Sequence, residues 1–100
     1  MDISEAKKRI EQGGITIVDI RAADAYQESH IKNAKNISSE GQLSEFLNSV
    51  NKRNPVLCYC YHGISSQQAV GFLLSKGFKE VHSLDGGFEA WKLEGPVVFE

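Results

Sequence analysis

Val56-Leu-Cys-Tyr-Cys60-Tyr-His-Gly-Ile-Ser-Ser66-Gln-Gln-Ala-Val70 decides the fold. Pro55 opens an apolar run that reads as a strand ending at Cys60. Ala69, Phe72, Leu73 and Lys76 then follow at helical spacing, and Gly77 ends the helix. The loop between is about five residues long, and Ser65 with Gln68 fits a capping box at the helix start. A strand thus hands over to a helix N-terminus directly behind a cysteine.

The same alternation extends in both directions. Upstream, Ile3, Ala6 and Ile10 mark a helix with Asp2 and Glu5 as capping box, stopped by Gly13-Gly14. Ile15-Thr-Ile-Val-Asp-Ile20 is a β-branched strand buried on both faces. Asp24 to Ser29 allows a helical turn or two, and Ala34 to Ile37 a short strand. Ser39-Glu-Gly-Gln42 caps a helix with Leu43, Phe46, Leu47 and Val50 on one face. Downstream, Glu80-Val-His-Ser-Leu84 is a strand, and Asp85 caps a last helix through Trp91, which packs into the core with Phe88. Short apolar strands alternating with helices predict an α/β fold: one domain over residues 1–100, with a mostly parallel central sheet and helices on both faces. Ligands of such sheets bind beyond the carboxyl ends of the strands, where Cys60 lies.

Composition narrows the function. With 11 Lys and Arg, 13 Asp and Glu and a net charge of −2, the chain has no basic tract to attract nucleic acid or an anionic membrane. Met1-Asp-Ile-Ser-Glu5 opens an amphipathic stretch, without the charged start and apolar run expected of a secretory signal, and no apolar run approaches the roughly 20 residues of a membrane span. Cys58 and Cys60, with one residue between them, are expected to face opposite sides of the sheet and not to bridge. Without a disulfide framework, a reducing compartment, the cytoplasm, is expected, and a monomer is the default.

The Cys60 loop carries the chemistry. Helix N-termini present unpaired N–H groups and a partial positive charge. A loop wrapped around the Cys60 sulfur would add backbone N–H groups to that nest, with Gly63 supplying a positive φ. Such oriented dipoles favour a thiolate near neutral pH. Cys58, by contrast, reads as a small core residue.

Cys60-Tyr-His-Gly-Ile-Ser-Ser66 resembles the six-residue active-site loop of the rhodanese family. Three further elements match in order: Val18-Asp-Ile-Arg21, His30-Ile-Lys-Asn-Ala34 and Asp85-Gly-Gly-Phe-Glu-Ala-Trp91, although Ser29 and Asn33 stand where glycines are often found. The resemblance spans the first helix to about Pro96. It implies a sulfurtransferase in which Cys60 takes sulfane sulfur from thiosulfate or a persulfide donor. The sulfur passes from a Cys60 persulfide to cyanide, thioredoxin or another thiol, without metal or organic cofactor.

Tyr61, His62, Gly63, Ile64, Ser65 and Ser66 are the substrate-binding candidates, chiefly through backbone N–H groups and the two serine hydroxyls. His62 is either a charged partner of the thiolate or a solvated loop residue. Asp19 and Arg21 read as an ion pair, with Arg21 kept as an accessory candidate for the site. His30 reads as a loop anchor. His30, His62 and His82 are too scattered for zinc-ligand spacing.

Two other functions compete. A cysteine phosphatase needs an Arg fork to clamp the oxyanion, but that position is Ser66, and neither Arg nor Lys occurs between Cys60 and Ser75. A non-catalytic binding or regulatory module of the same family is the alternative that the retained cysteine disfavours. Cys58-Tyr-Cys60 is one residue short of a thioredoxin-type redox pair. With His62 as the loop's only candidate cation, weak binding of a dianionic donor is expected.

Overall fold

A computed structural model describes residues 1–95 and 97–98 of the chain. Apart from β2 and β6, which no sequence pattern announces, the elements follow the alternation expected: α1 (Ile3–Gln12), β1 (Thr16–Asp19), α2 (Ala23–Glu28), β2 (His30–Ile31), β3 (Lys35–Asn36), α3 (Glu40–Ser49), β4 (Val56–Tyr59), α4 (Ser65–Ser75), β5 (Val81–Ser83), α5 (Gly87–Trp91) and β6 (Val97–Val98). Strands β3-β1-β4-β5 form a parallel sheet in that order, and β2 pairs antiparallel with β6. Pairing His30 with Val98 and Ile31 with Val97 makes part of the C-terminal segment a strand; Phe99 and Glu100 lie outside the described residues.

The pleat of β4 divides the core. Leu57 and Tyr59 join Ala6, Ile17, Leu84, Phe88 and Trp91 on one face, while Val56 and Cys58 join Val18, Phe46, Leu73 and Phe78 on the other. Helices α1 and α5 therefore cover one face and α3 and α4 the other, since successive strand side chains alternate. Each wholly buried Leu or Val contributes about 1.5–3 kcal/mol, and β4 buries all four of its residues. Such a strand has no solvent face, which is why it reads as an unbroken apolar run.

Several local expectations are corrected. Residues two apart in a strand share a face, so Cys58 and Cys60 do not diverge as expected: Cys58 packs against the α4 side, and Cys60 follows the strand end towards the same helix. Both thiols are free. The third short strand is Lys35–Asn36 alone, and the strand after Glu80 stops at Ser83. Of the residues read at helical spacing in α4, Leu73 is buried and Phe72 exposed. Asp85 does not cap α5. That place belongs to Gly86, at φ 75°, while the exposed Asp85 carboxylate lies 3.4 Å from the Met1 amino group.

Candidate active site

Chain direction places the site. At the carboxyl end of β4 the chain leaves the sheet at Cys60, turns through Tyr61–Ile64 and enters α4 at Ser65. Cys60 is 7% exposed, and its Sγ accepts the Gly63 N–H at 3.1 Å and the Ser66 N–H at 3.4 Å. The Ser66 hydroxyl lies 3.5 Å from the same sulfur. Gly63 sits at φ 87°, which turns its N–H inward at no steric cost.

The expected Ser65 cap is absent. Ile64 occupies the cap position without a side-chain hydrogen bond, and Ser65 is already helical. An uncapped first turn leaves its N–H groups free for another acceptor, and the Ser66 N–H has the Cys60 sulfur. The missing cap is thus part of the cradle.

Burial alone would push the Cys60 thiol up. The Ser66 hydroxyl, then the N–H groups of Ser66, Gly63 and His62, outweigh it and bring the thiol below its ordinary value of 9.0. Cys58 has burial and no such donors, and its thiol is pushed up to about 12. Two cysteines one residue apart, Cys58 inside β4 and Cys60 just past its end, are therefore electrostatically opposite.

Most of the residues expected at the site do converge there. A cleft of about 420 Å³ above Cys60 is lined by Ile20, Arg21, Ala22, Tyr61, His62, Ile64 and Ser65. Tyr61 and Ile64 form an exposed rim. The His62 side chain is exposed; its backbone N–H is what serves the sulfur. Arg21 reaches the cleft but is committed elsewhere. Its guanidinium grips the Asp19 carboxylate at 2.7–3.0 Å, bonds the Ser29 carbonyl and stacks 4.1 Å from the centre of the Phe88 ring. The Tyr59 hydroxyl donates to the same carboxylate at 2.7 Å. Buried and neutralised, Arg21 acts first as a tie between β1 and the loop before β2, as the ion-pair reading expected. His30, with Nδ1 2.7 Å from the Tyr26 carbonyl oxygen and its ring stacked on Tyr26, anchors its loop.

Sequence reasoning missed what supports the cysteine loop from below. The Phe88 N–H donates to the Cys60 carbonyl at 2.7 Å, and the Glu89 N–H to the Tyr61 carbonyl at 3.0 Å. Gly87, at φ 60°, lies so close that a Cβ would stand 2.6 Å from the Cys60 and Tyr61 carbonyl oxygens. The Gly-Gly-Phe stretch was visible as a family element, but its contact with residues 26 to 28 positions earlier was not. Ser83 was also missed, with its hydroxyl 2.6 Å from that of Ser66. Its place at the carboxyl end of β5 is the one signal that could have found it.

A family model described as "Rhodanese-like domain" matches residues 2–94. The chain is 48% identical over 93 residues to the thiosulfate sulfurtransferase GlpE of Coxiella burnetii, covering 93% of this chain and 86% of that protein. It is 43% identical over 91 residues to the thiosulfate sulfurtransferase GlpE of Vibrio cholerae serotype O1, covering 91% and 85% respectively. Among solved structures, the Alr3790 protein from Anabaena sp. superposes with a TM-score of 0.90 at 31% identity, over 100% of this chain and 82% of that one. A rhodanese-like domain protein from Staphylococcus aureus gives 0.83 at 29% identity, over 100% and 96%.

Proposed function

The chain belongs to the rhodanese family, and from that premise we propose that it is a thiosulfate sulfurtransferase with Cys60 as sulfur carrier. The observation that carries the assignment is the Cys60 Sγ at the end of β4, held by the Gly63 and Ser66 N–H groups beside the Ser66 hydroxyl. These donors favour the thiolate, the form that attacks sulfur. In the first half-reaction the Cys60 thiolate attacks the outer sulfur of thiosulfate. The sulfur–sulfur bond of the donor breaks, and sulfite leaves with the bonding pair. The resulting persulfide keeps one negative charge on its outer sulfur, which the remaining N–H groups of the loop stabilise. Cyanide or a thiolate then attacks that outer sulfur, and the Cys60 thiolate leaves.

Tyr61 and Ile64 shape the mouth, and Gly63, Ser65 and Ser66 form the binding loop. Arg21 is an accessory that holds the cleft wall through Asp19. The donor is thiosulfate or a persulfide, and the acceptor is cyanide, thioredoxin or another thiol. The protein works as a cytoplasmic monomer of one domain without metal or cofactor. A non-catalytic role has no comparable support, since a binding module has no use for a thiol stabilised as thiolate.

Intact-mass spectrometry after incubation with thiosulfate tests the assignment. The wild type and Cys58→Ser should gain one sulfur atom, and Cys60→Ser none. A wild-type mass that stays unchanged with both thiosulfate and a persulfide donor overturns it.

A further inference from the structure

The Ser66 hydroxyl touches two partners: the Cys60 Sγ at 3.5 Å and the Ser83 hydroxyl at 2.6 Å. Ser66 is wholly buried, so bulk water does not compete for its single proton. A thiolate only accepts. If the Ser66 proton points at the sulfur, the Ser66 oxygen turns a lone pair to Ser83, and the Ser83 hydroxyl donates into it. We propose that Ser83 is a positioning residue, a hydroxyl on the neighbouring strand that aims the Ser66 proton at Cys60 and so sets when the thiolate forms. This rests on the reading of Cys60 as the sulfur carrier.

The short O···O distance matters because a hydroxyl that accepts a hydrogen bond becomes a stronger donor. Protonation reverses the chain by hydroxyl rotation alone. The Cys60 S–H then donates to Ser66, and Ser66 donates to Ser83. No heavy atom moves, so the relay follows the charge on sulfur without reorganising the loop. Two strands fix the distance: β4 delivers Cys60, and β5, hydrogen-bonded alongside it, ends at Ser83. The Ser83 carbonyl is itself held by the Met1 amino group at 2.9 Å.

Charged and titratable groups nearby have other partners or positions. The Met1 amino group bonds the Ser83 carbonyl, Arg21 is paired with Asp19, His82 is bonded to Glu80, and His62 and Tyr61 lie on the cleft side of the loop. Cys58, the nearest other thiol in the strand, is buried with its thiol pushed up. Among the described residues, the two serine hydroxyls bond each other, and of the ionisable groups Cys60 alone is bonded to the pair.

The test follows the pH midpoint of Cys60 alkylation by iodoacetamide, read by intact mass, in the full chain. Ser83→Ala should raise the midpoint and slow alkylation below it by about two- to fivefold, while Ser83→Thr, which keeps the hydroxyl, holds the wild-type midpoint. In a Ser66→Ala background, Ser83→Ala should add nothing. A wild-type midpoint in Ser83→Ala overturns the proposal. An equal shift in the Ser66→Ala background, or in Ser83→Thr, overturns it too, because Ser83 would then act by packing. Thiosulfate mass uptake by the wild type is the separate check on the carrier reading.

Discussion

Gly14→Ala and Gly87→Ala place the same side chain on similarly strained backbone in opposite surroundings. Gly14 has φ 79° with nothing within 4 Å of a new Cβ, whereas at Gly87, φ 60°, the Cβ would stand 2.6 Å from two carbonyl oxygens of the cysteine loop. The left-handed conformation costs an L residue about 1–2 kcal/mol, which is the whole penalty at Gly14. At Gly87 the backbones must part by most of an ångström, stretching the Phe88-to-Cys60 and Glu89-to-Tyr61 hydrogen bonds. A buried group left unpaired costs about 1–3 kcal/mol, so Gly87→Ala should lose roughly 2–5 kcal/mol. Most domains have 5–15 kcal/mol in hand, so the variant should still fold at 25 °C. The displaced loop then loosens the Gly63 and Ser66 donors on Cys60. Losing the equivalent of one such bond raises the thiol by about one pH unit, or about a tenfold drop in alkylation near pH 7. Urea unfolding and pH-dependent alkylation measure the two effects. Equal stability losses in both variants, with equal alkylation midpoints, would refute the idea that α5 buttresses the loop.

Native protein treated with limiting iodoacetamide should be modified at Cys60 alone and denatured protein at both cysteines, with a Cys60 midpoint below the free-thiol value of 9.0. By linkage, a lowered thiol stabilises the fold fully above the ordinary thiol value and loses that contribution as pH falls through the folded one. The stability of the wild type relative to Cys60→Ser should accordingly rise between those two values, as urea titrations at several pH values would show. Arg21→Ala strands the buried Asp19 carboxylate and should cost about 3–5 kcal/mol in urea unfolding; a loss under 1 kcal/mol would mean the pair is dispensable. Ile64→Arg adds a cation to the exposed rim and should lower the KM for thiosulfate by up to about fivefold, an effect that added salt removes.

Legibility followed the range of the interactions. The α1 cap is local: the Asp2 carboxylate accepts the Glu5 N–H at 2.8 Å, three residues away, and the sequence pattern is sufficient. The same pattern at Ser65 misled, because the helix begins one residue earlier, with Ile64 at the cap position and the Ser66 N–H turned to the Cys60 sulfur. Asp85 misled similarly, since Gly86 and Gly87 both need positive φ and move the helix start past it. The β2–β6 pair joins residues nearly seventy positions apart through two-residue strands, too short to leave any periodicity.

By itself the sequence determined the alternation of strands and helices, the burial of β4 and the position of Cys60 at a strand's carboxyl end. Apolar period, turn residues and caps are properties of neighbouring residues. The tertiary structure alone decided how that thiol is supported. The Gly87 contact beneath the loop, the Ser83 hydroxyl beside Ser66 and the stacking of Arg21 on Phe88 depend on which strands lie side by side. Such contacts are fixed by sheet order β3-β1-β4-β5, and no local pattern encodes that order.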